Sequence, residues 1–123
     1  MDHQHALNVL GSALEACCFV PMTGYFRDGY CRTIDADRGS HTICAIVTEE
    51  FLDYSAARGN DLITPRPDFG FPGLKPGDSW CVCASRWLEA ERAGKAPPVK
   101  LRSCHAKALD TVDLQTLQRY QLQ

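Results

Sequence analysis

Apolar and polar positions fall into blocks along the chain, and the blocks predict a short series of elements. Residues 7–18 carry Leu7, Leu10 and Leu14 at weak helical spacing, but Gly11 interrupts them, so a short helix and an irregular strand fit equally well. Tyr25-Phe26-Arg27 and Tyr30-Cys31-Arg32 flank Asp28-Gly29, the pair favoured in two-residue turns, which predicts a β-hairpin. Thr42 to Val47 is apolar or β-branched at nearly every position and reads as an inner strand covered on both faces. Thr48 then caps a helix whose first turn holds Glu49 and Glu50, favourable against the helix dipole. Phe51, Leu52 and Ala56 form its buried stripe, and Gly59 stops it.

From Gly59 to Trp87 the pattern changes. This stretch holds Pro65, Pro67, Pro72 and Pro76 with Gly59, Gly70, Gly73 and Gly77, four of the seven prolines and four of the nine glycines. Proline fixes φ and glycine opens positive φ, so a loop rich in both follows one path. A long ordered loop in a small domain is more often functional than decorative. It ends at the turn Lys75-Pro76-Gly77-Asp78 and enters an apolar strand over Ser79–Ala84. Ser85 is placed to cap a helix from Arg86 to Ala93, closed by Gly94. After Pro97-Pro98, Val99–Cys104 alternates as a half-buried strand, with Val99 and Leu101 inward and Lys100 and Arg102 outward. A turn or short helix follows from His105, and Val112 and Leu117 are spaced as a hydrophobic staple at a last helix start.

Strand and helix signals interleave, which predicts an α+β two-layer sandwich. A small, mostly antiparallel sheet would carry helices on one face, with the long ordered Pro/Gly loop along one end. No internal repeat, low-complexity segment or linker divides residues 1–123, so a single domain is expected.

Composition narrows the classes. Hydrophobic content of 45% and charged content of 23% suit an ordinary soluble globular protein. A net charge of −2 without clustering leaves no electrostatic footprint for nucleic acid or an anionic membrane. The longest apolar runs fall far below the roughly 20 residues of a membrane span. The opening MDHQHALNVLG has neither a basic n-region nor an apolar h-region, so no secretory leader is expected. Seven cysteines (Cys17, Cys18, Cys31, Cys44, Cys81, Cys83, Cys104) are then expected as free thiols in a reducing cytoplasm. The odd count leaves at least one unpaired in a monomer.

Three constellations could carry chemistry. The first is a small-molecule or anion pocket between the 59–80 loop and the 25–32 hairpin, using Arg27, Asp28, Asn60, Asp61, Arg66, Trp80 and Arg86. Arginines beside apolar walls hold carboxylates or phosphates, and tryptophan stacks on rings. Such a pocket serves binding or catalysis alike; against it, Asp and Asn are commonplace turn residues and the aromatics fit a core. The second is a metal or thiol-redox site built from Cys44, Cys81, Cys83, His41 and His105, with zinc as the metal. Cys81 and Cys83 share a strand face with Cα atoms roughly 6.6 Å apart, near the upper limit for bonding to each other. Core packing as small hydrophobes is the plain alternative for all of these cysteines. The third is a protein-interaction module presenting the Pro-rich loop.

A calcium loop over Asp35-Ala36-Asp37-Arg38-Gly39 fails, because Gly39, Ser40 and Ile46 occupy the positions that need a ligand, a glycine and a bidentate glutamate. It reads instead as a surface turn. The chain also lacks Gly-x-Gly-x-x-Gly, a Walker loop, His-Glu-x-x-His and Gly-x-Ser-x-Gly, which argues against dinucleotide redox, nucleotide hydrolysis, zinc proteolysis and a serine elbow.

Several long motifs carry a resemblance: TGYFRDGYC (23–31), HTICAIVTEEFL (41–52), RGNDLITPRP (58–67), FGFPGLKPGDSWCVCASRW (69–87) and APPVKLRSCHAKAL (96–109). Together they resemble the bacterial and plant family called domain of unknown function 2237, over nearly the whole chain. The resemblance implies a compact α/β two-layer domain and no particular activity. Similar proteins tend to read Ala-Thr-His where this chain has Ser103-Cys104-His105, which argues against Cys104 as a shared catalytic thiol.

Overall fold

The computed structural model describes residues 6–122, so the opening segment read for a leader lies partly outside the described residues. At its centre β1 (His41–Ile46) pairs antiparallel with β2 (Ser79–Cys83), setting Cys44 opposite Cys81 and Ala45 opposite Trp80. The apolar, β-branched composition that predicts an inner strand has its cause here: Ile43, Cys44 and Ala45 are fully buried.

Three helices complete an α+β fold: α1 (Glu49–Ala57), α2 (Ala84–Arg92) and α3 (Leu114–Arg119). Thr48 caps α1, its hydroxyl accepting the Phe51 N–H, and Phe51, Leu52 and Ser55 face the core. Ser55 takes the place expected for Ala56, which is only partly buried. α2 begins two residues earlier than the cap at Ser85 predicts. Cys83 occupies the N-cap, the Ala84 N–H donates to the Ser40 carbonyl, and the Ser85 hydroxyl pairs with the Cys83 thiol at 3.3 Å. At the last helix Asp113 is the N-cap, and Val112 and Leu117 are both buried, as a staple requires. No described helix is long and apolar enough to cross a membrane.

Two predicted pairings differ. The strand expected over Val99–Cys104 shrinks to one bridging residue: Val99 bridges Ala45 and Gln121, after which Leu101–Ser103 turns as a 3-10 helix. Val99 and Leu101 do point inward, but Ser103 and Cys104 are buried too, so the alternation ends. The Ser103 hydroxyl donates to the Ala16 carbonyl, while the Lys100 and His105 N–H groups still donate to the Cys44 and Thr42 carbonyls of β1, so the turn interrupts the ladder without leaving the strand. The Asp28-Gly29 hairpin is likewise absent. The Gly29 N–H donates to the Thr23 carbonyl and its own carbonyl accepts from the Cys17 and Cys18 N–H groups. The Arg27 N–H, which would close the hairpin, donates instead to the Gly24 carbonyl, so the segment folds back on the 17–24 coil. Gly29 has φ 89°, and a Cβ there would strike the Phe19 ring.

The free-thiol expectation also needs correcting. Cys17 bonds Cys44 and Cys31 bonds Cys81, with Cα–Cα distances of 5.7 and 5.3 Å, leaving Cys18, Cys83 and Cys104 free. Cys44 and Cys81 are cross-strand neighbours, and each takes its partner from the irregular N-terminal coil. The two bridges tie that coil to the sheet, where few backbone ladders could do so.

Candidate functional site

A cleft of about 640 Å³ opens between the 24–27 loop, β1, the Pro/Gly loop and β2. Gly24, Tyr25 and Arg27 form one wall, His41 stands at the start of β1, and Trp80 and Cys81 make the floor. Asp61, Leu62, Arg66, Phe69 and Phe71 come from the Pro/Gly loop.

That loop is held by its own polar groups. The Asp61 carboxylate accepts the Ile63 and Thr64 N–H groups at 2.9 and 3.1 Å and the Thr64 hydroxyl at 2.6 Å. These bonds, the Thr64 hydroxyl foremost, hold its carboxyl below the usual range. Asp61 is therefore a turn former first. Arg66 and Phe71 exchange backbone bonds of 2.7 and 3.0 Å around the 3-10 turn Pro67–Phe69. This closed lobe sets Phe71 against Trp80, ring centres 5.3 Å apart, and leaves Phe69 at the rim, 69% exposed.

Three cationic or basic side chains meet these aromatic walls. The Arg27 guanidinium lies over the Trp80 ring at 5.1 Å and donates to the Gly24 carbonyl at 2.7 Å. Arg66 makes no side-chain hydrogen bond to any described residue, and its charge reaches Asp61. His41 is the third. Its Nδ1 is 2.6 Å from Asp37 Oδ1, and the other Asp37 oxygen accepts the His41 N–H at 2.9 Å and the Thr33 hydroxyl at 3.0 Å. The Asp37 side chain is 1% exposed whereas that of His41 is 40% exposed. The Asp37 backbone does lie in the expected surface turn, bonding Ile34 and Ser40, but its side chain points inward. Tyr25 stacks on the imidazole at 6.5 Å and 26°, and Gly39 packs so close to it that a Cβ would meet the ring.

Of the residues singled out in the sequence, Arg27, Asp61, Arg66 and Trp80 line the cleft, and three do not. Asp28 turns to the Tyr30 N–H and the Arg32 guanidinium, Asn60 closes α1 through its N–H to Ser55, and Arg86 reaches the Arg58 carbonyl and Glu89 on α2. The metal set is not assembled. Cys44 and Cys81 are bonded elsewhere, Cys83 faces Ser85, and His41 is held by Asp37. His105 accepts the Lys107 N–H at 3.0 Å to cap the turn Ala106–Asp110, and burial, then Lys107, lowers its pKa. The ligand-like group among the described residues is Cys17, Cys31 and Cys81, whose sulfurs lie within 4.8 Å of one another. What the sequence reading missed is Asp37 and the role of His41. Their signal was the four-residue spacing between them.

Fold and cleft together define a small α+β domain with a disulfide-tied centre and a cationic, aromatic-walled cleft. The chain belongs to the DUF2237 family, described as "Uncharacterized protein conserved in bacteria", whose family model matches residues 7–121. No curated protein matches it.

Proposed function

We propose that the cleft binds a small organic anion with a flat apolar part. The observation that carries this reading is the placing of Arg27 and Arg66 in one cleft with the paired Trp80 and Phe71 rings, with Arg66 making no side-chain bond to a described residue. An unpaired guanidinium recognises a carboxylate or phosphate by charge-assisted bonds, while the indole and phenyl rings take the apolar part. Titration calorimetry at low salt with benzoate, 4-acetamidobenzoate, phosphate and acetate tests it. Aromatic carboxylates bind best, and Arg66→Ala weakens them. Absence of heat with all four ends the reading.

The sulfur group supports a second reading. Once a dithiol reductant opens both disulfides, Cys17, Cys31 and Cys81 offer three buried thiolates close enough to hold zinc. Native mass spectrometry of reduced protein with one equivalent of zinc decides this. A mass equal to apo protein removes it.

A further inference from the structure

We propose that His41 makes the cleft catalytic, as the proton-transfer group in hydrolysis of an ester whose acid or alcohol part carries the anion. The inference rests on the anion-cleft reading and deepens it. Its footing is the geometry around one imidazole. Asp37 is buried with Oδ1 2.6 Å from Nδ1, so in the neutral ring the proton sits on Nδ1 and Nε2 is the acceptor. The remaining Asp37 oxygen is satisfied by the His41 N–H and the Thr33 hydroxyl, so the carboxylate cannot swing away. Tyr25 on one side and Gly39 close against the ring restrict its rotation. Backbone strain gathers at the same place: Ser40, next to His41, and Arg27, across the cleft, are the two described non-glycine residues with positive φ, at 49° and 55°. Such strain persists where surrounding structure enforces it, and it clusters at functional sites.

An imidazole held by a buried carboxylate, with one free nitrogen in a cleft, is built to accept and return a proton. No serine, threonine or free thiol lines the cleft among the described residues, because Cys81 is in a disulfide, so the nucleophile is water. Nε2 takes one proton from water as the oxygen forms a bond to the acyl carbon. The C–O bond to the leaving group then breaks, and the imidazolium returns that proton to the leaving oxygen. Asp37 stabilises the imidazolium between the two steps, and Arg66 holds the substrate's distal anion. Asp37 is a positioning residue; His41 is the catalytic one.

The probe is 4-acetoxybenzoate, whose carboxylate lies too far from its own ester to assist hydrolysis. Wild-type protein is expected to hydrolyse it with saturation, faster than an equal concentration of free imidazole and more slowly in D2O than in H2O. His41→Ala and His41→Gln are both measured, with melting curves, so that misfolding of one leaves the other. Each is expected to lower kcat about 100-fold or more, the usual scale for a general base, with KM little changed. Added imidazole restores part of the rate to the alanine variant, which a merely structural histidine would not allow. Wild-type turnover no faster than imidazole, or variants as fast as wild type, overturns the inference. Binding of the uncleaved analogue 4-acetamidobenzoate separates the two readings. If it binds through Arg66 while turnover ignores His41, the anion cleft stands without catalysis; if neither it nor benzoate, phosphate or acetate binds, both fall.

Discussion

The guanidinium of Arg27 lies 5.1 Å from the centre of the Trp80 indole and is pinned there by a 2.7 Å bond to the Gly24 carbonyl. Arg27 therefore belongs to the fold as well as to the cleft, whereas Arg66 extends from the Pro/Gly loop without a side-chain bond to a described residue. The two arginines should separate under mutation. Arg27→Ala removes a cation–π contact and a hydrogen bond and is expected to cost about 1–2 kcal/mol of stability. Arg66→Ala should stay within about 0.5 kcal/mol, as exposed substitutions do. Urea denaturation measures both, and equal losses would remove the structural role assigned to Arg27.

The cysteines divide into three chemical groups. Four are in disulfides, Cys18 and Cys83 are half-exposed thiols, and Cys104 is fully buried. Burial pushes the Cys104 thiol up to about 12, so it is neither reachable nor ionised at neutral pH. Iodoacetamide on native, unreduced protein should modify Cys18 and Cys83 alone. Denaturation adds Cys104, and reduction adds the other four. Peptide mapping reads each step. Modification of Cys31 or Cys81 in unreduced protein would contradict the bridges.

How much of this was legible beforehand depends on whether the information was local. The α1 cap at Thr48, the inner strand expected over Thr42–Val47 (found at His41–Ile46) and the staple of Val112 with Leu117 are set by neighbours in sequence, and they are present. Asp28-Gly29 was also local, yet its turn chemistry serves contacts to Thr23, Cys17 and Cys18 instead of a ladder. Past Val99 the ladder gives way to the Leu101–Ser103 turn, whose Ser103 hydroxyl bonds Ala16, 87 residues away in sequence. Disulfide partners are likewise separated by 27 and 50 residues, and spacing cannot pair seven cysteines. In the cleft, Arg27, Arg66 and Trp80 stood out because such residue types bind anions and rings. His41 did not, because its meaning depends on a buried Asp37 that reads as an ordinary loop aspartate.

Two glycines of the Pro/Gly loop should respond differently to alanine. Gly73 has φ 81°, and a Cβ there would land on the Ile63 carbonyl oxygen, where the two halves of the loop touch. Gly70 has φ 66°, but nothing lies within 4 Å of its Cβ position. Gly70→Ala thus carries only left-handed strain, about 1–2 kcal/mol. Gly73→Ala adds a backbone collision and should cost more than that, while also weakening 4-acetamidobenzoate binding by moving Leu62 and Phe71. Denaturation and calorimetry on both variants test the difference. A Gly73→Ala protein as stable as Gly70→Ala would mean the loop halves do not touch in solution.

His105 gives the fold a dependence on pH whose sign follows from its bond. The Lys107 N–H donates to Nδ1, so that nitrogen must be unprotonated and the neutral ring carries its proton on Nε2. Burial, with the nearby Lys107 ammonium, lowers the folded-state pKa below the ordinary 6.5. In the unfolded chain the value returns to about 6.5, so between the two pKa values the unfolded state binds more protons. The contribution of His105 is therefore complete above about pH 6.5 and declines as pH falls through that window, by at most about 1.4 kcal/mol per pH unit for one proton. His105→Asn keeps a side-chain acceptor for the Lys107 N–H and removes the titration. Urea denaturation from pH 8 to pH 5 should show wild type losing stability relative to this variant only on the acid side. Parallel curves would mean that His105 protonates as easily folded as unfolded, and the role given to its bond with Lys107 would fall.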